Sequence, residues 1–80
     1  MSVTVRYFAG ARAAAGVETE DRTAATLAEL VRQIADAHGE QLERVLTACS
    51  FLVDGTSARD PRAVLSPGSV IDVLPPFAGG

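Results

Sequence analysis

The two most apolar strand-patterned stretches of this 80-residue chain lie at its opposite ends, and that separation constrains the fold more than any other feature. Near the start, "SVTVRYF" (residues 2–8) alternates with period two, with Val3, Val5 and Tyr7 on one face and Thr4, Arg6 and Phe8 on the other. β-Branched and aromatic residues at that spacing make a strand with one buried face. The first set is the more apolar, so it is expected to face the core and leave Phe8 pointing outward beside Arg6. Near the end, "VIDVL" (residues 70–74) turns Ile71 and Val73 inward and Val70, Asp72 and Leu74 outward. The most apolar strands belong at the centre of a sheet, so these two are expected to be neighbours. If they run parallel, a long crossover must join them, and the middle of the chain supplies it.

That middle is helical in pattern. Thr26, with Glu29 three residues on, forms a capping box that satisfies two orphan backbone donors. Leu27, Leu30, Val31, Ile34 and His38 follow as one helical stripe, and Gly39 stands where a left-handed terminating residue belongs. A second stripe, Leu42, Val45, Leu46 and Cys49, predicts a shorter helix over residues 40–48. "GARAAAG" reads as a turn or short helix, and "VETEDRT" (residues 17–23) as an edge strand paired with the first. "SFLVDG" reads as a strand ending in the tight-turn pair Asp54-Gly55. "TSARDPRAVL" reads as irregular, and "SPGS" places proline and glycine at the centre of a type II turn. One main helix packed across a small mixed sheet buries these stripes most simply, an α+β roll.

Size and composition narrow the function. A chain this short is one domain, burying only about 60–65% of its unfolded surface, with little room for a deep active-site cleft. A net charge of −3 argues against a nucleic-acid surface. No run is long and apolar enough for a membrane span, and "MSVTVRYFAG" does not read as a signal peptide. The lone Cys49 excludes an internal disulfide and fits a reducing cytoplasm; on its apolar stripe it reads as a small hydrophobe rather than a sulfur relay. His38 reads as a charge complementing the end of its helix, not as a metal ligand. Glu18, Glu20 and Asp21 read as a solvated edge. All seven basic residues are arginine, so no lysine is present to act as a Schiff-base nucleophile or to accept a second copy of the chain through an isopeptide bond.

The ending "VLPPFAGG" (residues 73–80) carries the strongest functional signal. Pro75 and Pro76 lack backbone donors and have fixed φ, so they stop the strand and stiffen the segment beyond it. Phe77 is thereby held away from the core. Gly79 and Gly80 have no Cβ and fit a slot too narrow for other residues. The α-carboxylate then sits at the tip of a thin, stiff arm.

"VTVRYFAGARAAAG" and "GSVIDVLPPFAGG" resemble the MoaD/ThiS family of ubiquitin-like sulfur carriers, most nearly the small subunit of molybdopterin synthase. The resemblance implies a β-grasp roll over residues 1–74, with a mixed sheet of four to five strands, and an extended tail over residues 75–80. It implies a carrier or co-substrate and not an enzyme by itself. An E1-like adenylating enzyme uses ATP to activate the Gly80 carboxylate, a sulfur donor converts it to a thiocarboxylate, and a synthase large subunit receives the tail within a heterotetramer. No cofactor is held permanently and no metal is expected. Gly80 and Gly79 are then the reacting tip and its neck. Phe8, Val70, Leu74, Pro75, Pro76, Phe77 and Ala78 form the partner surface, and Ser57 stands where the family has a further apolar contact. Molybdenum cofactor synthesis is the favoured pathway. Sulfur delivery to thiamine, cysteine or tRNA, and a ubiquitin-like modifier joined to target lysines, are the alternatives.

Overall fold

The first and last strands are parallel neighbours at the heart of a five-stranded sheet. The computed structural model describes residues 2–76. Along the chain these form β1 (Val3–Tyr7), α1 (Ala9–Ala15), β2 (Thr19–Arg22), α2 (Leu27–His38), α3 (Glu40–Leu46), β3 (Ser50–Val53), β4 (Thr56–Ala58) and β5 (Val70–Leu74). β1 pairs antiparallel with β2, β5 antiparallel with β3, and β3 antiparallel with β4.

Period two decides which side chains enter the core. Val3, Val5 and Tyr7 of β1 and Ile71 and Val73 of β5 are buried on one face. Leu27, Leu30 and Ile34 of α2 lie against them, with Leu42 and Leu46 of α3 and Leu65 of the last loop closing the cluster. Each such side chain, moved from water to the interior, contributes about 1.5–3 kcal/mol before the chain-entropy cost is counted.

α2 begins as its sequence dictates. Thr26 Oγ1 accepts a hydrogen bond from the Glu29 amide at 3.2 Å, and the Glu29 carboxylate accepts one from the Ala25 amide at 3.3 Å. Thr26→Ala is expected to lower stability by about 1 kcal/mol, a shift in the urea midpoint with unchanged m value. A midpoint identical to that of the parent would show the cap to be idle.

Several expectations are corrected by the structure. Residues 56–58, read as irregular, are strand β4. Their Thr-Ser-Ala sequence carries no apolar alternation, and what makes them a strand is the turn before them. Asp54 (φ 51°) and Gly55 (φ 84°) both have positive φ, the type I′ geometry that folds the chain directly back on β3. Helix α3 ends at Leu46, so Cys49 lies beyond it in the turn into β3. Gly39 has φ 90° and ψ −171°, an extended conformation open almost only to glycine, instead of the left-handed terminator expected. The chain therefore passes from α2 straight into α3.

Glu20 is the largest correction. It is not on a solvated edge. Opposite Val5 in the β1–β2 register it turns to the core side, where its side chain is only 15% exposed. The Tyr7 hydroxyl donates to Glu20 Oε2 at 2.8 Å, Arg22 Nε donates to Oε1 at 2.5 Å, and His38 Nε2 meets Oε2 from the end of α2. The Tyr7 and His38 rings stand edge to face, their centroids 5.8 Å apart. His38 thus has a carboxylate neighbour that its place in the helix did not reveal. Burial opposes the charge on Glu20, but hydrogen bonds from His38, Tyr7 and Arg22 outweigh it and hold the carboxyl below its ordinary value. Burial first, then the Glu20 contact, pushes the Tyr7 phenol well above its ordinary value.

Candidate functional site: the outward sheet face and the exit of the last strand

Strand register gathers the outward-facing residues. Thr4 lies beside Val70 and Arg6 beside Asp72 across the parallel pair; Leu52 and Ser50 of β3 lie opposite Asp72 and Leu74. Ser57 of β4 lies opposite Leu52. Partners in register share a face, so Val70, Asp72, Leu74, Leu52 and Ser57 form one surface with Thr4 and Arg6.

At its centre is a closed ion pair. Arg6 Nε and an Arg6 terminal nitrogen donate to the two carboxylate oxygens of Asp72 at 2.6 and 2.8 Å. This bidentate geometry fixes both side chains more firmly than a single contact would. The hydrogen bond to Asp72, then its charge, raises the Arg6 pKa. Asp72, outward by alternation, is nevertheless only 7% exposed, because Arg6 covers it.

Phe8 belongs to the same surface. It follows β1 and caps α1 with extended backbone, and its amide donates to the Val73 carbonyl at 3.3 Å. The Arg6 guanidinium carbon stands 5.8 Å from its ring centroid, within cation–π range. Phe8 is 37% exposed, while Val70 and Leu74 are half-buried. The chain leaves β5 at Leu74, beside Ser50, through half-buried Pro75 and exposed Pro76. The expectations for Phe77, Ala78, Gly79 and Gly80 lie outside the described residues.

Sequence reasoning missed Leu52. Its signal was present: in "SFLV", Phe51 and Val53 pack toward the core, which turns Ser50 and Leu52 to the other face. Leu52 places an apolar side chain beside Ser57. The Arg6–Asp72 pair was missed because only the register joins residues 66 positions apart.

The surface therefore sets the apolar side chains of Phe8, Leu52, Val70 and Leu74 around a neutralised ion pair, with Thr4, Ser50 and Ser57 between them. Among the described residues, no group of three or more His, Cys, Asp or Glu side chains is placed to hold a metal, and no helix is long and apolar enough to cross a membrane. Cys49 is half-buried, its Sγ donating to the Val45 carbonyl at 3.1 Å, and burial raises its thiol pKa. That lowers its thiolate fraction, the opposite of what a sulfur relay requires.

Parallel first and last strands at the centre of a mixed sheet, a helix packed across one face and a chain that exits from the central strand define a ubiquitin-like β-grasp protein. The ThiS family model matches residues 5–80, and the chain belongs to this family of ubiquitin-like sulfur carriers, small proteins that are not themselves catalysts.

Solved structures agree. A chain of the complex of subunits 1 and 2 of molybdopterin-converting factor from Helicobacter pylori is 31% identical, with each chain covered over 100% of its length and a TM-score of 0.76. A putative molybdopterin converting factor subunit 1 from Pyrococcus furiosus is 26% identical, covering 96% of this chain and 99% of that one, with a TM-score of 0.85. SAMP1 from Haloferax volcanii shares the fold, with 24% identity, full coverage of both chains and a TM-score of 0.85. No curated protein sequence matches the chain.

Proposed function

We propose that this chain carries sulfur as a C-terminal thiocarboxylate for molybdopterin synthesis. One observation carries the reading: the family match runs through the "LPPFAGG" ending to Gly80. The likeness to a chain of a molybdopterin-converting factor complex favours the pterin pathway over the others.

The chemistry stems from the weakness of a carboxylate as an electrophile. A Gly80 carboxylate oxygen attacks the α-phosphorus of ATP held by an adenylating partner, and pyrophosphate leaves. The acyl-adenylate now has AMP as a good leaving group. The terminal sulfur of a donor persulfide attacks the acyl carbon and AMP departs; a second thiol of the donor then attacks the donor's own sulfur in the resulting acyl disulfide, forming a donor disulfide and releasing the thiocarboxylate. Gly79 and Gly80 admit the tip to narrow sites because neither carries a Cβ. Pro75 and Pro76 hold the arm extended. Phe8, Val70, Leu74, Phe77 and Ala78, with Leu52 added by the structure, dock the large subunit, and Arg6–Asp72 keeps the middle of that surface neutral.

Intact mass spectrometry after incubation with an adenylating enzyme, ATP and a sulfur donor tests the reading. A mass gain of one oxygen-for-sulfur exchange at the C-terminus is expected. A persistent adduct on the lysines of other proteins would instead establish a modifier, and an unchanged mass would exclude activation altogether. Docking has its own check. Phe8→Ala removes an exposed anchor, so calorimetry should show large-subunit binding weakened about tenfold or more, the loss typical of an interface anchor. Unaltered affinity would move the interface elsewhere.

A further inference from the structure

A broad concavity lies away from the outward face. It is a groove of about 620 Å³ on the helix side of the β4 edge. Its apolar lining comes from Leu27 and Val31 of α2, Leu46 of α3, Phe51 of β3 and Ala58 of β4. Two arginines, Arg32 and Arg59, line it as well, and no acidic residue does.

Those two arginines differ from the others. Arg6, Arg12, Arg22, Arg44 and Arg62 each sit in an ion pair; Arg32 and Arg59 have none among the described residues. In a chain of net charge −3, the two exposed arginines that are unpaired among the described residues meet at one apolar groove. Asp36 and Glu43 share the adjoining depression with Arg32 but form no ion pair with it. Asp60, next to Arg59 in sequence, is engaged by the Arg62 amide and guanidinium.

The groove also borders a free strand edge. Among the described residues β4 pairs only with β3, and Val53 and Thr56 flank the two-residue turn as a hydrogen-bonded pair. The alternation of an antiparallel ladder then turns the Ser57 N–H and C=O toward the open side. Ser57 itself lines the groove.

We infer that this groove binds an extended acidic peptide segment of a partner protein: its backbone pairs with β4 at Ser57, an apolar side chain enters the groove, and flanking carboxylates meet Arg32 and Arg59. Such strand addition takes affinity from main-chain hydrogen bonds and specificity from the pocket beside them. The two rim charges select acidic flanks and make association sensitive to salt. The groove shares only its rim residues Ser50 and Ser57 with the outward face and otherwise lies on the helix side of the sheet; it is independent of sulfur transfer, so failure of the carrier reading leaves it standing.

The test is NMR titration of the isotope-labelled full chain with a capped peptide, an Ile-Val-Leu centre flanked by aspartates on both sides. Amide shifts are expected to concentrate at Ser57–Arg59 and along Ala28–Arg32, and alkylation of Cys49, which lines the groove and is the chain's only thiol, should slow. The asparagine-flanked peptide, and the exposed double replacement Arg32→Glu with Arg59→Glu, should each weaken binding about tenfold, as expected for two rim charge pairs. Thermal melts confirm that the variant stays folded. Absence of shifts at the groove, shifts centred on Phe8 and Leu52, equal affinity for the neutral peptide, or binding of a free fatty acid such as decanoate without the peptide would each overturn the proposal.

Discussion

Replacing Glu20 with leucine is expected to lower stability by about 3 kcal/mol at neutral pH, because it strands three donors at once. Tyr7 is the worst placed of them. It is only 1% exposed, and Glu20 is the acceptor its hydroxyl has in the structure. Arg22 and His38, with side chains 30% and 16% exposed, recover part of their loss from water. The pH profile distinguishes this loss from simple repacking. The Glu20 carboxyl is held below its ordinary value of 4.5 in the folded chain. A depressed carboxyl binds its proton less readily when folded than when unfolded. Its contribution is therefore complete above the unfolded value and is lost as pH falls through the lower folded one. Urea denaturation from neutrality into the acid range should show a steep acid arm in the parent and a flatter one in Glu20→Leu. Equal stability and parallel pH profiles would mean that the cluster contributes nothing.

One added residue after Gly80 should abolish sulfur loading while leaving the fold untouched. The largest functional effect is thus expected at a position that contributes least to the core. An extra residue converts the Gly80 carboxylate into an amide, which has no free oxygen to attack ATP. It also places a Cβ where the proposed arm requires none. The β5 ladder, the α2 cap and the Glu20 cluster lie upstream of Pro76 and should not register the change. The expected outcome is an unchanged melting curve with loading reduced to background in the intact-mass assay. Normal loading of the extended chain, without removal of the extra residue, would rule out the terminal carboxylate as the working group.

The frame of the fold was legible because period and capping are local signals. Alternation in "VTVRY" and "VIDVL" gave the faces of β1 and β5, and their apolar content gave them the sheet centre. Thr26 and Glu29 marked the start of α2, and Pro67-Gly68 marked the turn before β5, where Gly68 has φ 81° and the Ser69 amide donates to the Ser66 carbonyl at 3.0 Å. What was illegible depends on register. "TEDR" alternates two polar sets, and nothing local says which faces inward; pairing of Glu20 with Val5 decides it. β4 has no hydrophobic pattern at all and is a strand only because β3 is beside it. Phe8 was placed outward correctly from its neighbours in sequence, whereas its companions Leu52 and Arg6–Asp72 needed the sheet to be assembled first.

The same distinction separates tail from scaffold. The chemistry proposed for the tail is local, a carboxylate on a slender stem, and the sequence exposes it. The surface that would guide that tail into a partner is made by five strands in register, four of which contribute outward side chains to it. Arg6 and Asp72 illustrate the consequence. Alone, each would put an unpaired charge into an apolar contact, which is costly to desolvate. Together they present a nearly neutral patch that Phe8 and Leu52 flank.

The most direct measurement tracks the sulfur itself. The chain bearing a C-terminal thiocarboxylate is mixed with a molybdopterin synthase large subunit and the pterin precursor, and intact mass and pterin products are monitored together. The account predicts that the chain loses one sulfur-for-oxygen exchange in step with the appearance of a sulfur-bearing pterin. A thiocarboxylate that persists while no such pterin forms, or a chain that ends covalently attached to another protein, would contradict it.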